Sequence, residues 1–432
     1  MNKTLGNIFK GDKVVWMVFF FLCIISVLEV FSSSSSLSYK GGNYWSPAIK
    51  HSGLLFFGLF CMIVALNIKC KYYKIATPFM YGISLLLLFL VLVMGSATND
   101  AHRWFSLFGL QFQPSEIAKG TVVLLCAQIL SSTQTPEGAD KRAFWWIMGA
   151  CAPIILLIGV ENLSTAALIC ATIFMMMFIG RVPLRQLGGL MGAVTVLIGF
   201  VIALVMLLGN AQTTPPPAEN ETAVQVTSEG VSTDEANAIV MGEGANGVTS
   251  NTGVLHRFDT WKARIMKFLD HEEVAPEDVD LDKDAQVVFS KVAIATSGII
   301  GCGPGNSEQR DFLSQAFSDF IYAIVIEELG LAGAFVVAFL YVVLLFRAGR
   351  IANRCENNFP AFLAMGLALM LVVQALFNMC VAVGIVPVTG QPLPLISKGG
   401  TSTIINCVYI GIILSISRSA KKKVVETAPS KV

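Results

Sequence analysis

Apolar residues run through this chain in blocks about as long as a bilayer is thick. Ten can be drawn, near residues 14–31, 52–68, 76–94, 115–132, 144–160, 164–180, 187–209, 319–346, 360–384 and 402–417. A helix satisfies its own backbone hydrogen bonds, so a block of this kind can cross hydrocarbon as a helix. The pattern predicts an all-α integral membrane protein of about ten transmembrane helices. A large extracytoplasmic loop is expected between spans seven and eight.

Basic residues orient the spans. Lys3, Lys10 and Lys13 precede the first block; Lys69, Lys71 and Lys74 follow the second, Lys141 and Arg142 the fourth, Arg181 and Arg185 the sixth. Arg347, Arg350 and Arg354 follow the eighth, and Arg418 with Lys421 to Lys423 the tenth. With ten spans all these clusters share one side, so both termini are expected in the cytoplasm. The first block resembles a secretory leader, but it is long for one and lacks a clean small-x-small site. A retained span is expected.

The blocks divide the chain into residues 1–209 (seven spans), 210–318 (the outer loop) and 319–432 (three spans and a basic tail). The loop carries 17 acids against 7 Lys or Arg. Residues 213–247 are polar, Pro-rich and acidic, a composition that stays disordered. Farther on, Trp261, Ile265, Phe268 and Leu269 recur at helical spacing. They suit an amphipathic helix lying on the bilayer surface or packed on the bundle.

Composition narrows the classes. The chain is 54% hydrophobic and 14% charged over 432 residues, too apolar for a soluble protein of that length. Its net charge of +1 identifies no partner, and no basic stripe with interleaved aromatics points to nucleic acid. Of ten cysteines only Cys302 falls in the outer loop, so no disulfide framework is expected there.

Candidate chemistry gathers at the outer ends of the spans. Asp319 stands where the loop re-enters an apolar helix that also carries Glu327 and Glu328. Acids beside a bilayer need a partner, a water-filled cavity or a task. Capping the helix is the plain alternative for Asp319. Upstream, Arg103-Trp104 precedes Gln113-Pro114-Ser115-Glu116-Ile117-Ala118-Lys119. Pro114 suits a first helical turn, and Glu116 and Lys119, three apart, share a face. Either Lys119 pairs with Glu116 or it snorkels to the interface.

Three further pieces face the same side. The turn Glu161-Asn162-Leu163-Ser164-Thr165 suits helix capping. Ser297 to Ser307 is glycine-rich without a Gly-Lys-Ser/Thr ending, so it is no nucleotide loop; its glycines permit sharp bends and close approach. Pro387-Val388-Thr389-Gly390-Gln391-Pro392-Leu393-Pro394-Leu395-Ile396-Ser397-Lys398-Gly399-Gly400-Thr401-Ser402 is irregular yet apolar, as a re-entrant or cavity-lining loop would be. Gln374 and Asn378, four apart, face one way, toward a neighbouring helix.

In this order on ten spans, these pieces resemble the SEDS family, which includes FtsW, RodA and SpoVE. The resemblance rests on four motifs: Gln113-Pro114-Ser115-Glu116, Gly303-Pro304-Gly305-Asn306-Ser307, Asp319-Phe320 with Glu327-Glu328-Leu329-Gly330, and Pro387 to Ser402. It implies a peptidoglycan glycosyltransferase that polymerises lipid II at the outer face of a bacterial cytoplasmic membrane. Polyprenyl diphosphate would be released. A class B penicillin-binding transpeptidase and other cell-wall synthesis proteins are the implied partners, with membrane lipids around them. Asp319 takes the family's catalytic position, and Arg103, Gln113, Glu116, Lys119, Ser397 and Lys398 become binding or supporting residues. A divalent cation is an open alternative to Arg103 or Lys119 as the group that meets the leaving diphosphate.

The chain departs from the family at several places. Ser318 and its upstream neighbours replace the residues that usually precede Asp319, Asn162 replaces an Asp, Ser164 a Gly, and Lys398 a Tyr. The division branch, FtsW-like, is preferred to the RodA-like elongation branch. Two rivals stand beside the polymerase reading: a flippase for the lipid-linked precursor, and a scaffold that recruits the transpeptidase.

Overall fold

The computed structural model describes residues 10–33, 46–94, 96–98, 101–107, 110–208, 281–313 and 318–426. The segments expected to be disordered (213–247) or amphipathic (257–269) lie outside these residues. The chain divides into two compact units, residues 1–193 with 272–432, and residues 194–271. Every site discussed below lies in the first.

Ten helices among the described residues coincide with the ten apolar blocks. They are α1 (Lys13–Ser33), α2 (Ser46–Asn67), α3 (Cys70–Met94), α4 (Pro114–Ser132), α5 (Lys141–Glu161), α6 (Leu163–Ile179) and α7 (Leu184–Leu208), then α9 (Ile321–Ala352), α10 (Asn358–Ala382) and α11 (Thr401–Glu426). A further helix, α8 (Leu281–Thr296), precedes α9. Seven of the ten are long and apolar enough to cross a membrane: α1, α2, α3, α5, α9, α10 and α11. Helix α6, at 17 residues, is shorter, and α4 carries Glu116 and Lys119 in its first two turns. The fold is that of an all-α multi-pass membrane protein.

The outer surface fits that reading. Phe56, Phe57 and Phe60 on α2 and Trp145 and Trp146 on α5 are all exposed. Apolar rings face outward at low cost only where lipid replaces water, and tryptophans beside Lys141 and Arg142 suit a membrane boundary. Helix α10 is central: α4, α6, α9 and α11 all pack on it. Asp12 and Arg347 form an ion pair that ties the start of α1 to α9. All ten cysteines are free thiols; Cys170 and Cys302 are exposed, the rest at least partly buried.

Two features were not visible in the hydropathy. First, a small antiparallel sheet joins α3 to α4, in the order β1 (Ser96–Thr98), β2 (Ala101–Leu107), β3 (Leu110–Phe112). Phe105 pairs with Phe112 and Leu107 with Leu110. Second, α9 is broken. Gly330 sits at φ 70°, ψ −175°, a conformation essentially reserved for glycine, and splits the helix. The 298–303 segment fills the break. Cys302 N donates to Glu327 O (3.0 Å), Gly303 N to Glu328 O (2.9 Å), Leu331 N to Gly298 O (3.2 Å) and Ala332 N to Ile299 O (3.1 Å). Backbone groups freed by the break are thus paired by protein, as membrane depth requires.

The fit has no spare room. A Cβ on Gly330 would lie 2.2 Å from Ile299 O, and one on Gly301 2.4 Å from Glu328 O. Gly330→Ala is therefore expected to destabilise the protein by at least about 1–3 kcal/mol from backbone strain alone. Gly349→Ala, in the same helix with its nearest neighbour 4.0 Å away, is expected to be near neutral. Thermal unfolding of the two variants in detergent checks the contrast.

Candidate functional site

Asp319 lies in a turn one residue before the helix cap, not at the cap itself. Phe320 is the N-cap of α9 and makes no side-chain capping bond. Its half-buried carboxylate belongs to that turn. Ser318 Oγ donates to Asp319 Oδ1 at 2.8 Å. Asp319 Oδ2 lies 3.5 Å from where a Cβ on Gly390 would stand, so the glycine opens that side of the carboxylate.

The frame grips the turn by its carbonyls. Asn378 Nδ2 donates to Asp319 O (2.8 Å) and to Gln391 O (2.7 Å). Ser397 Oγ donates to Ser318 O (2.6 Å) while accepting from Leu393 N (2.7 Å). Gln374 Nε2 donates to Pro392 O (2.9 Å), and Gln391 Nε2 to Thr165 Oγ1 (2.9 Å). Gln374, Asn378, Gln391 and Ser397 are all at least 97% buried. Gln374 and Asn378 share a face as their spacing implies; Gln374 meets both Lys119 on the neighbouring α4 and the Pro387–Ser402 loop, and Asn378 meets that loop and the Asp319 turn. An irregular loop offers bare carbonyls, and side-chain amides on a buried helix satisfy them.

Glu116 and Lys119 form a buried ion pair, with Nζ to Oε1 at 2.7 Å. Both are essentially inaccessible, at 2% and 0% exposure, so Lys119 pairs and does not snorkel. Lys119 Nζ also donates to Gln374 Oε1 (2.8 Å), and Ser402 Oγ to Glu116 Oε2 (3.1 Å). Tyr409 OH donates to Glu116 O at 2.8 Å. The pair reaches the Asp319 turn through one continuous set of bonds: Glu116, Lys119, Gln374, Pro392, then the loop to Gln391 and Ser397. Tightly satisfied networks of this kind fix a single geometry.

The other residues read from the sequence sit as follows. Gln113 is the half-buried N-cap of α4, without a side-chain capping bond. Arg103 falls on β2, and its side chain lies outside what the structure describes. Lys398 is half-buried at the loop's end; burial lowers the pKa of its ammonium, and the charge of Lys50 adds to the effect. Asn162 caps α6 through Thr165 N (3.1 Å), as the turn suggested. Glu327 accepts from Ser307 Oγ (2.5 Å), Glu308 N (3.0 Å) and Gln309 N (3.2 Å), which fastens the loop ahead of Asp319 to α9. Glu328 accepts from Ser32 Oγ on α1.

For a metal ion the donor set is thin. The described residues contain no group of three or more His, Cys, Asp or Glu arranged to hold one. The side chains seen to bond the Asp319 turn, Ser318, Asn378 and Ser397, bring no second carboxylate to it.

Comparison with known proteins places this frame. The model of the FtsW/RodA/SpoVE cell cycle proteins matches residues 12–214 and 225–422. The peptidoglycan glycosyltransferase MrdB of Escherichia coli K12 is 27% identical over 422 residues, covering 97% of each chain. The probable peptidoglycan glycosyltransferase FtsW of Legionella pneumophila is 30% identical over 417 residues, covering 94% of this chain and 90% of that one. Among solved structures, a chain of a peptidoglycan synthase complex that coordinates polymerisation and crosslinking superposes with TM-score 0.63 at 24% identity, over 95% of this chain and 98% of its own. Rod shape determining protein RodA of Thermus thermophilus superposes with TM-score 0.60 at 21% identity, over 96% of this chain and 98% of its own. With the family model matched over nearly the whole chain, the chain belongs to the FtsW/RodA/SpoVE family of cell cycle proteins.

Proposed function

We propose that this protein is a peptidoglycan glycosyltransferase that polymerises lipid II at the outer face of a bacterial cytoplasmic membrane. The observation that carries the reading is the Asp319 turn. A half-buried carboxylate stands at the mouth of a membrane helix, while Asn378 and Ser397 hold the turn's carbonyls and a glycine leaves space beside Oδ2. Such a frame suits a positioned base. A group that only lined a transport path would not need its backbone fixed on two sides.

In the proposed reaction the 4-hydroxyl of the acceptor's GlcNAc attacks the anomeric carbon of the donor's MurNAc. The new C–O bond forms as the bond to polyprenyl diphosphate breaks, and Asp319 takes the hydroxyl proton. An alcohol is a poor nucleophile at neutral pH, so removing its proton as the bond forms lowers the barrier. The departing diphosphate gains charge, and Lys398 and Arg103 are the cations proposed to meet it. Lys119 is already engaged by Glu116 and Gln374, so its part is to hold the loop, with its charge acting at a distance.

The membrane reading extends to both termini in the cytoplasm and to a class B penicillin-binding transpeptidase as partner. Of the two branches, division is the one preferred; depletion would then give filaments, whereas rounded cells would place the protein in elongation. The activity is tested with purified protein and lipid II, with products resolved by length. Glycan polymer is the expected result. Movement of lipid II between leaflets without polymer would transfer the same residues to a transport path.

A further inference from the structure

Ser26, Glu29 and Ser32 recur every third residue along α1, and all three are at least 97% buried. A polar stripe inside a membrane helix marks a face with specific partners. Ser32 meets Glu328 below the break in α9. Ser26 meets the Pro387–Ser402 loop: its Oγ donates to Ile396 O at 2.8 Å. The same oxygen lies 2.7 Å from Nε2 of His51 on α2. A hydroxyl has one proton, so a Ser26 that donates to Ile396 accepts from the ring. His51 is therefore protonated at Nε2. The ring is 1% exposed, and among the described residues its Nδ1 has no hydrogen-bond partner.

The bond lands on a strained piece of backbone. Leu395 has φ 68°, a left-handed conformation that a branched side chain seldom adopts. The carbonyls on either side of it are both held by hydroxyls from spanning helices: Pro394 O by Tyr341 OH on α9, and Ile396 O by Ser26. Strain of this kind persists only where the surroundings over-determine it. The next residue is Ser397, whose hydroxyl holds Ser318 O beside Asp319. From His51 the contacts run through Ser26 to Ile396 and Ser397, and on to Ser318 and Asp319.

We propose that His51 is a positioning residue for the Asp319 turn. Its Nε2–H keeps the Ser26 hydroxyl aimed at Ile396 O, which pins the loop in the strained form that puts Ser397 on the turn. Without that donor, Ser26 is free to turn back to a carbonyl of its own helix, as serines in membrane helices do. The inference rests on the polymerase reading for its kinetic arm only.

The test compares His51→Leu, His51→Gln and Ser26→Ala in the full chain, by lipid II polymerisation and by amide hydrogen exchange over residues 393–397. Gln places an amide N–H near the position of Nε2. Leu is expected to lower kcat about tenfold or more with KM little changed, since a small misplacement of a reacting group is costly in rate. Exchange in the loop should quicken in the same variant. Gln is expected to return kcat to within about threefold of the parent. Ser26→Ala should reproduce the Leu result and stands in for it if His51→Leu does not fold. A Leu variant with parental kcat and unchanged exchange would overturn the proposal, as would a Gln variant no better than Leu. Should the parent make no glycan, the polymerase reading falls, while unchanged exchange in His51→Leu would still, separately, overturn the role of His51.

Discussion

Replacing Lys119 with Met is expected to cut the yield of folded, membrane-inserted protein sharply, and adding Glu116→Leu is expected to restore it. The reason is burial. The pair sits at 0% and 2% exposure with Nζ and Oε1 2.7 Å apart. Removing one partner leaves the other charged and unpaired in a poor solvent, which typically costs about 3–5 kcal/mol. Removing both takes that charge away. The double variant still loses the bond from Lys119 to Gln374, the amide that holds Pro392 O. An orphaned buried amide oxygen costs about 1–3 kcal/mol and loosens the loop above it. The double variant should therefore insert normally and polymerise lipid II at about a tenth of the parental rate or less. Inserted yield and polymerisation, measured together for the two single variants and the double, separate the roles. A double variant that is both well folded and fully active would confine the pair to stability and take it out of the site.

The spans were legible because hydropathy reports them directly: a block of about twenty apolar residues has few alternatives to a membrane helix. The limits of that signal are equally physical. The eighth block reads as one unbroken run, yet Gly330 splits it, because the break depends on a segment some thirty residues upstream whose backbone fills the gap. Nothing in local hydropathy carries that contact, although the glycines of 298–305 pointed to close approach. The sheet before α4 left a weak mark, the alternation of Phe105-Ser106-Leu107 and Leu110-Gln111-Phe112 about Phe108-Gly109, which the search for long apolar runs passes over.

The site divides the same way. Glu116 and Lys119 at three-residue spacing, and Gln374 and Asn378 at four, were readable as shared faces. What each face meets was not, because the partners lie far off in sequence, on other helices and on an irregular loop whose carbonyls can be anywhere. Ser26 shares a polar stripe with Glu29 and Ser32, but what it and His51 meet is not carried by local sequence and shows only beside Ile396.

The second large effect is expected at Asp319. Asp319→Asn keeps the size and planarity of the side chain and leaves the frame's two bonds in place, since Asn378 and Ser397 hold backbone carbonyls and not the carboxylate. Folding should be unaffected. The amide has no basic oxygen to take the proton of the attacking hydroxyl, and loss of a general base costs about 10²–10⁴-fold in rate. The initial rate of glycan formation from lipid II by purified Asp319→Asn, set against the parent at matched inserted concentration, is the most direct measurement. The account predicts a fall of at least about 10²-fold with unchanged thermal stability. An Asn variant that polymerises lipid II at the parental rate would contradict it.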